Sequence, residues 1–282
     1  MSCYNIINAI INIIDEQQRK NNFSSSCNYN QYKMGQPLED YVKDAFSGAI
    51  KLEKNDKIKY REAAFSFCSS KNNPPAAILR KGNAIEIIKV ASIGGIPLSS
   101  NYPKVKLSIS DQRLSSFCRN VENGKWDNKD IIYTIGCVNG EVLKSLAFVY
   151  GTVYFADEDY YLKLFKTIKN SFNNSSFTLE NTKELAHING VDPLGITHFR
   201  ARGVWSISHP FKAFNYLFSH NNNNHFELLA IIPLEKYNSF GNINKLEELS
   251  NHVRGLKIED KKVINPNNKI ELINTKIITY IQ

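Results

Sequence analysis

Long apolar runs are missing from this chain of 282 residues. No stretch of about 18 apolar residues occurs, so no membrane span is expected. The longest apolar run near the start, Ile6 to Ile14, is broken by Asn8 and Asn12. The N-terminus lacks a basic segment followed by a small-residue cleavage site, so no signal peptide is expected and the chain reads as cytoplasmic. Cysteine is sparse: Cys3, Cys27, Cys68, Cys118 and Cys137 are odd in number, widely scattered, and form no C-x-x-C pair. That pattern speaks against a disulfide frame or a zinc site and for reduced thiols. Cys68 and Cys118 have no evident partner base and read as core thiols. A P-loop, a dinucleotide fingerprint and a Ser-His-Asp spacing are absent as well.

What is present suits a packed protein with a polyanionic partner. Hydrophobic residues make up 42% and aromatic residues 11% of the chain, enough for a well-formed core. The length allows one large domain or two small ones. The formal charge is +8 and the isoelectric point near 9.1, which favours nucleic acid. An AT-rich genome, which enriches Lys and Asn, accounts for the same excess without any function.

The apolar spacing predicts a helix over 4–19, a polar loop over 20–33, and a second helix over 37–47 that Gly48 can end. Strands are expected at 63–68, 76–79, 84–90, 131–138 and 146–155, with helices at 111–122 and 160–170. This order implies an α/β fold with a mixed central sheet flanked by helices. The Asn221–Asn224 run is expected at an exposed loop tip, and the best candidate boundary is 173–176. We divide the chain into an N-terminal helix and polar loop (1–34), an α/β core (35–170), and a recognition and dimerisation part of the same domain (171–282).

The stretch from Asn73 to Val90 carries the most chemical information. It reads as two apolar strands joined by a tight turn at Lys81-Gly82-Asn83, with Glu86 between isoleucines in the second strand. A carboxylate in a buried strand is costly unless it meets a cation or a metal. Two such strands, with an acid on each and a lysine two residues after the second acid, form the centre of the PD-(D/E)xK nucleases. Here the first acid position is Ala76 and the lysine position is Ile88. Glu86 and Ile88 share a face, while Lys89 points the other way and can serve only if a bulge re-aims it. A partly exposed strand acid paired with a lysine is the competing explanation for Glu86. Glu39, on the preceding helix, either points toward the same centre or simply favours its helix N-terminus.

Recognition candidates concentrate at Asp192, His198, Arg200, Arg202, Trp205, His209 and Lys212. On a strand over 196–202, His198, Arg200 and Arg202 would share a face. Arginine reads guanine through two hydrogen bonds and either cation neutralises phosphate; a solvated face with scattered ion pairs is the alternative. Neither His198 nor His209 has metal-ligand company. Lys104 and Lys106 either touch phosphates or decorate a solvated edge strand.

Taken in order, several segments make the chain resemble the NgoPII-type restriction endonucleases over nearly its whole length. They include Leu38-Glu39-Asp40-Tyr41-Val42-Lys43-Asp44, Asn73-Pro74-Pro75, Ala84-Ile85-Glu86, Asp130-Ile131-Ile132-Tyr133, Thr182-Lys183-Glu184-Leu185, Asp192-Pro193-Leu194, Arg200-Ala201-Arg202-Gly203 and Asn265-Pro266-Asn267-Asn268. The resemblance implies a PD-(D/E)xK fold and Mg²⁺-dependent hydrolysis of double-stranded DNA at GGCC. It also implies a homodimer and a companion DNA methyltransferase. It places metal ligands at Glu86 and at the position of Ala76. The family pattern has Asp at positions 76 and 83 and Lys at 88, where this chain has Ala76, Asn83 and Ile88. Impaired cleavage is therefore expected. The alternatives are a nuclease-derived protein that binds DNA without cutting it, and different DNA chemistry, such as base excision, on the same scaffold.

Overall fold

The isoleucine spacing near the N-terminus is realised as helix α1 (Ile6–Ser24) in the computed structural model, which describes residues 4–24, 37–69, 74–98, 102–173, 177–180, 182 and 184–282. Ile6, Ile7, Ile10, Ile13 and Ile14 are all fully buried. The helix runs past the expected loop start, and residues 25–36 lie outside the described residues, as do Cys3, Cys27, Asn73 and the boundary candidates 174–176. Helix α2 (Leu38–Ser47) buries Leu38, Tyr41, Val42, Ala45 and Phe46, the apolar stripe of a helix. Gly48 ends it with a positive φ of 75°, a conformation that favours glycine.

Helix α3 (Lys54–Ala64) takes the place of the first residues of the expected 63–68 strand. It has almost no apolar stripe, so hydrophobic periodicity does not reveal it. Charge holds it instead. The fully buried Asp44 carboxylate accepts from Lys57 at 2.8 Å and from Arg61 at 2.6 Å, and Arg61 also reaches Asp40 at 2.7 Å. Removing one partner of a buried pair strands the others, although Lys57 and Arg61 are partly exposed and recover water. Asp44→Ala is expected to cost about 2 kcal/mol, read as a lower denaturant midpoint with an unchanged m-value; no change would show that α3 docks without this network.

The strands are β1 (Phe65–Cys68), β2 (Ala77–Leu79), β3 (Ala84–Val90), β4 (Gly95–Leu98), β5 (Lys106–Ser108), β6 (Asn128–Asn139) and β7 (Val142–Tyr150). They continue with β8 (Ala186–Ile188), β9 (Phe199–Ala201), β10 (Trp205–Ser208), β11 (Glu227–Pro233), β12 (Leu256–Asn265) and β13 (Asn268–Ile281). A nine-stranded mixed sheet runs β1-β2-β3-β6-β7-β11-β13-β12, with β5 added on β6. The β3–β6 and β7–β11 pairs are parallel and the others antiparallel. This is the expected mixed α/β sheet flanked by helices. One face packs on α1 and α2. The other carries a second cluster that includes Ile78, Ala84, Leu114, Tyr133, Phe155 and Ile207.

Two expected elements change. Residues 111–122 do not form one helix: the Asp111 side chain accepts from the Arg113 backbone at 3.0 Å and makes a turn. Ser115 then caps a single helical turn, α4 (Ser116–Arg119), and Glu122 and Asn123 adopt positive φ. The strand expected to reach residue 155 ends at Tyr150, and α5 (Gly151–Tyr154) follows. A Cβ at Gly151 would meet the Val105 carbonyl oxygen at 2.3 Å, so glycine lets the segment carrying Lys104 lie against this helix. Helix α6 (Glu158–Asn173) contains the expected 160–170 helix. Helices α7 (Pro210–Ala213), α8 (Leu234–Asn238) and α9 (Ile243–His252) complete the chain, and the Asn221–Asn224 run is an exposed turn. Cys118 is buried as expected, but Cys68 is exposed at the end of β1, where the short strand leaves it uncovered.

Candidate functional site

The hairpin of β2 and β3 pairs Ala77 with Ile85 and Ile78 with Ala84, which sets Ala76 opposite Glu86. The Ala76 backbone N–H lies near the Glu86 carboxylate and favours its charged form. Burial pushes the Glu86 carboxyl up to about 7; the nearby Arg113 charge and the Ala76 N–H oppose the shift, and Glu39 adds to it. The fold thus brings Ala76, Glu86 and Glu39 into one neighbourhood, together with Arg113. Glu86 and Ile88 share the face of the second cluster, which Ile88 helps to pack. The β3–β6 ladder is unbroken from Ala84 to Val90, so no bulge re-aims Lys89, which is exposed on the opposite face. Glu39 forms an ion pair with Lys43 at 2.5 Å.

Arg113 is a cation near Glu86 that the sequence pattern does not reveal. It sits in the turn misread as a helix, where Asp111 grips it through Nε at 3.0 Å and Nη2 at 2.7 Å. An Asp-x-Arg pair is a weak sequence signal. Only the packing of the 109–115 segment over the Glu86 face makes it relevant. Tyr133, opposite Glu86 on β6, donates to the Lys104 carbonyl at 2.8 Å and accepts from the Lys104 N–H at 3.0 Å. That exchange ties the lysine segment to the same face.

Mg²⁺ asks for several oxygen ligands in near-octahedral geometry. Ala76 supplies no side-chain oxygen, and Glu39 is engaged with Lys43. Among the described residues no group of three His, Cys, Asp or Glu side chains could hold a metal ion. The residues as they stand therefore do not fit the ion that the sequence resemblance implies.

Beside this centre opens a cleft of about 930 Å³ whose walls include Tyr102, Lys104, Lys106, Arg113, Arg202 and Trp205. Four of the residues expected to contact DNA, namely Lys104, Lys106, Arg202 and Trp205, thus come together. Tyr102 stacks on Tyr161, and Trp205 meets both rings edge-on. The cations are paired: Lys104 with Glu158 at 2.8 Å, Lys106 with Asp130 at 3.9 Å, and Arg202 with Glu184 at 2.5 Å. Lys104 precedes β5, so it does not share a strand face with Lys106. Arg200 also reaches Glu184, at 2.8 Å, and the Arg200 and then the Arg202 hydrogen bonds hold that carboxyl down at about 2. The strand expected over 196–202 shortens to β9, which leaves His198 exposed just outside it. Lys212 is exposed on α7 and is not among the residues lining the cleft. His209 is fully buried, accepts from the Phe211 N–H to cap α7, and burial depresses its pKa to about 4; it is a structural residue. Asp192 braces the β8–β9 turn by accepting from the Leu194 and Thr197 N–H groups at 3.0 and 2.6 Å.

A family model, the NgoPII restriction endonuclease, matches residues 4–264. The chain belongs to that family. It is 42% identical over 279 residues to the type II restriction enzyme NgoPII of Neisseria gonorrhoeae, covering 98% of this chain and 99% of that protein. No solved structure matches the chain. The family match spans both the Glu86 hairpin and the Arg200–Arg202 segment. Among the described residues no helix is long and apolar enough to cross a membrane.

Proposed function

We propose that this chain recognises a short palindrome, GGCC, in cytoplasmic double-stranded DNA. It does so as a homodimer on a PD-(D/E)xK framework in which phosphodiester hydrolysis is impaired. The observation that carries this reading is the position of Ala76, one residue before β2 and beside Glu86 of β3 in the continued register of the hairpin. The two-strand frame of a nuclease centre is intact, but one oxygen ligand and the lysine at position 88 are missing. Hydrolysis of this kind depends on a metal ion to stabilise charge on the phosphate and to activate water, and Glu86 alone would hold such an ion weakly. The cleft that gathers Lys104, Lys106, Arg202 and Trp205 supports a DNA-binding role for this face. A palindrome calls for two-fold symmetry, which supports a dimer, and a restriction system calls for a companion methyltransferase that protects the same site. The second reading, a DNA-binding protein with no cleavage at all, is favoured by the apolar Ile88 where a cation would stand.

The test combines a gel shift with a plasmid digest. GGCC duplex is expected to bind more tightly than scrambled duplex, with affinity falling steeply as salt rises because Lys and Arg release counterions from phosphate. Equal binding of both duplexes at about 150 mM salt, where non-specific attachment is weak, would sink the proposal. Light scattering is expected to give a dimer on DNA, and a single chain covering one full site would contradict it. Digestion with and without Mg²⁺ separates the two readings: slow cutting supports an impaired enzyme, and none supports a pure binding protein.

A further inference from the structure

Glu184 holds two arginines through one carboxylate. Arg200 donates its Nε to Oε2 at 2.8 Å and Arg202 donates its Nε to Oε1 at 2.5 Å. Among the described residues neither makes another hydrogen bond, so no described side chain or backbone group takes up the terminal amino groups of either fork. The acid and the cations differ in exposure: the Glu184 side chain is 13% exposed, against 54% for Arg200 and 65% for Arg202. An ordinary surface ion pair leaves both partners in water. Here the carboxylate is the most covered member of the trio, and the arginine forks extend further into solvent, that of Arg202 at the cleft.

Arg200 lies in β9 and Arg202 immediately follows it; in extended chain residues two apart are separated by about 6.6 Å, roughly twice the spacing of neighbouring bases on one DNA strand. Sharing one carboxylate draws the guanidinium ends closer than their backbones. It also fixes Nε as the inward donor and leaves the Nη1–Nη2 edge to meet the O6 and N7 acceptors of guanine. The hairpin behind them is fixed by the Ala186–Ala201 and His187–Arg200 register and by the Asp192 turn. We propose that Glu184 is a positioning residue that sets Arg200 and Arg202 as a matched pair to read two neighbouring guanines. This rests on the reading that the chain binds GGCC duplex.

The test uses the full chain and fluorescence anisotropy with GGCC duplex, scrambled duplex, and GGCC duplex carrying 7-deazaguanine, which lacks the N7 acceptor, at either guanine. Each deaza substitution is expected to weaken binding by the intact chain about tenfold. In Glu184→Ala the preference for GGCC over scrambled duplex should collapse toward one, while scrambled duplex binds as well or better, because the arginine charge is freed. Glu184→Gln keeps a single acceptor and should lose sensitivity to one deaza position only. Arg200→Lys with Arg202→Lys keeps the charge without the forks and should abolish the preference with Glu184 untouched. A preference preserved in Glu184→Ala, or no response to either deaza base, overturns the inference while leaving the binding reading intact. No GGCC preference in the unmodified chain overturns the reading, and the inference with it.

Discussion

Ala76→Asp together with Ile88→Lys is expected to switch on Mg²⁺-dependent cutting of GGCC DNA, by about a thousandfold over the chain as it stands. The expectation follows from register. Position 76 faces Glu86 across the hairpin, so an aspartate there adds the second carboxylate on the correct face. Position 88 shares that face and is only partly buried against the second cluster. A lysine stem can take over the apolar contacts of Ile88 while its ammonium reaches the centre. Arg113 already stands near Glu86, but a guanidinium stays protonated and cannot take a proton from water. Ala76→Asp alone should therefore improve metal binding, read by calorimetry, with little turnover. Two outcomes would refute this account. One is brisk cleavage by the unmodified chain. The other is full rescue by Ala76→Asp alone, which would mean that a cation already present, Lys89 or Lys43, supplies the missing function.

The β2–β3 hairpin is legible in the sequence for a physical reason. Alternating apolar strands around a tight turn fix register, and register fixes which residues face each other. The Ala76–Glu86 opposition follows from that logic. Two kinds of element escaped it. Helix α3 is held by ion pairs to Asp44, which leave no apolar periodicity. Arg113 is placed by an Asp111 turn inside a segment whose spacing imitates a helix. His209 shows the converse error. It stands among exposed basic residues in sequence, yet it caps a short helix in full burial, which no local pattern signals. The pairing of Arg200 and Arg202 through Glu184 is not legible in the sequence, because it depends on the β8–β9 pairing that brings the segment before β8 alongside them.

Glu86 should make the fold lose stability as pH rises, in a window set by its own carboxyl. Its pKa in the folded protein is raised from 4.5 to about 7, mainly by burial. Between those values the folded state holds a proton that the unfolded chain has released. Stability therefore falls as pH climbs from about 4.5 to about 7 and levels off above it, by an amount on the order of 3 kcal/mol if the full shift is realised. Asp111 and Glu158 have lowered pKa values, so their contributions run the other way and fade only in more acidic solution. Glu86→Gln keeps the shape of the side chain and removes the charge. It should abolish the neutral-range slope and make the protein more stable than the unmodified chain at pH 8, by chemical denaturation across pH 5 to 8. Parallel stability curves would show that Glu86 is solvated and not strained. The same carboxylate repels a DNA phosphate at high pH, so Glu86→Gln should also tighten GGCC binding at pH 8 and leave binding near pH 5 unchanged. An acid kept this unhappy by burial, with Arg113 as its nearby counter-charge, is poised to accept a cation. On the proposed reading of the site, Ala76→Asp is the change that would add a second carboxylate beside it.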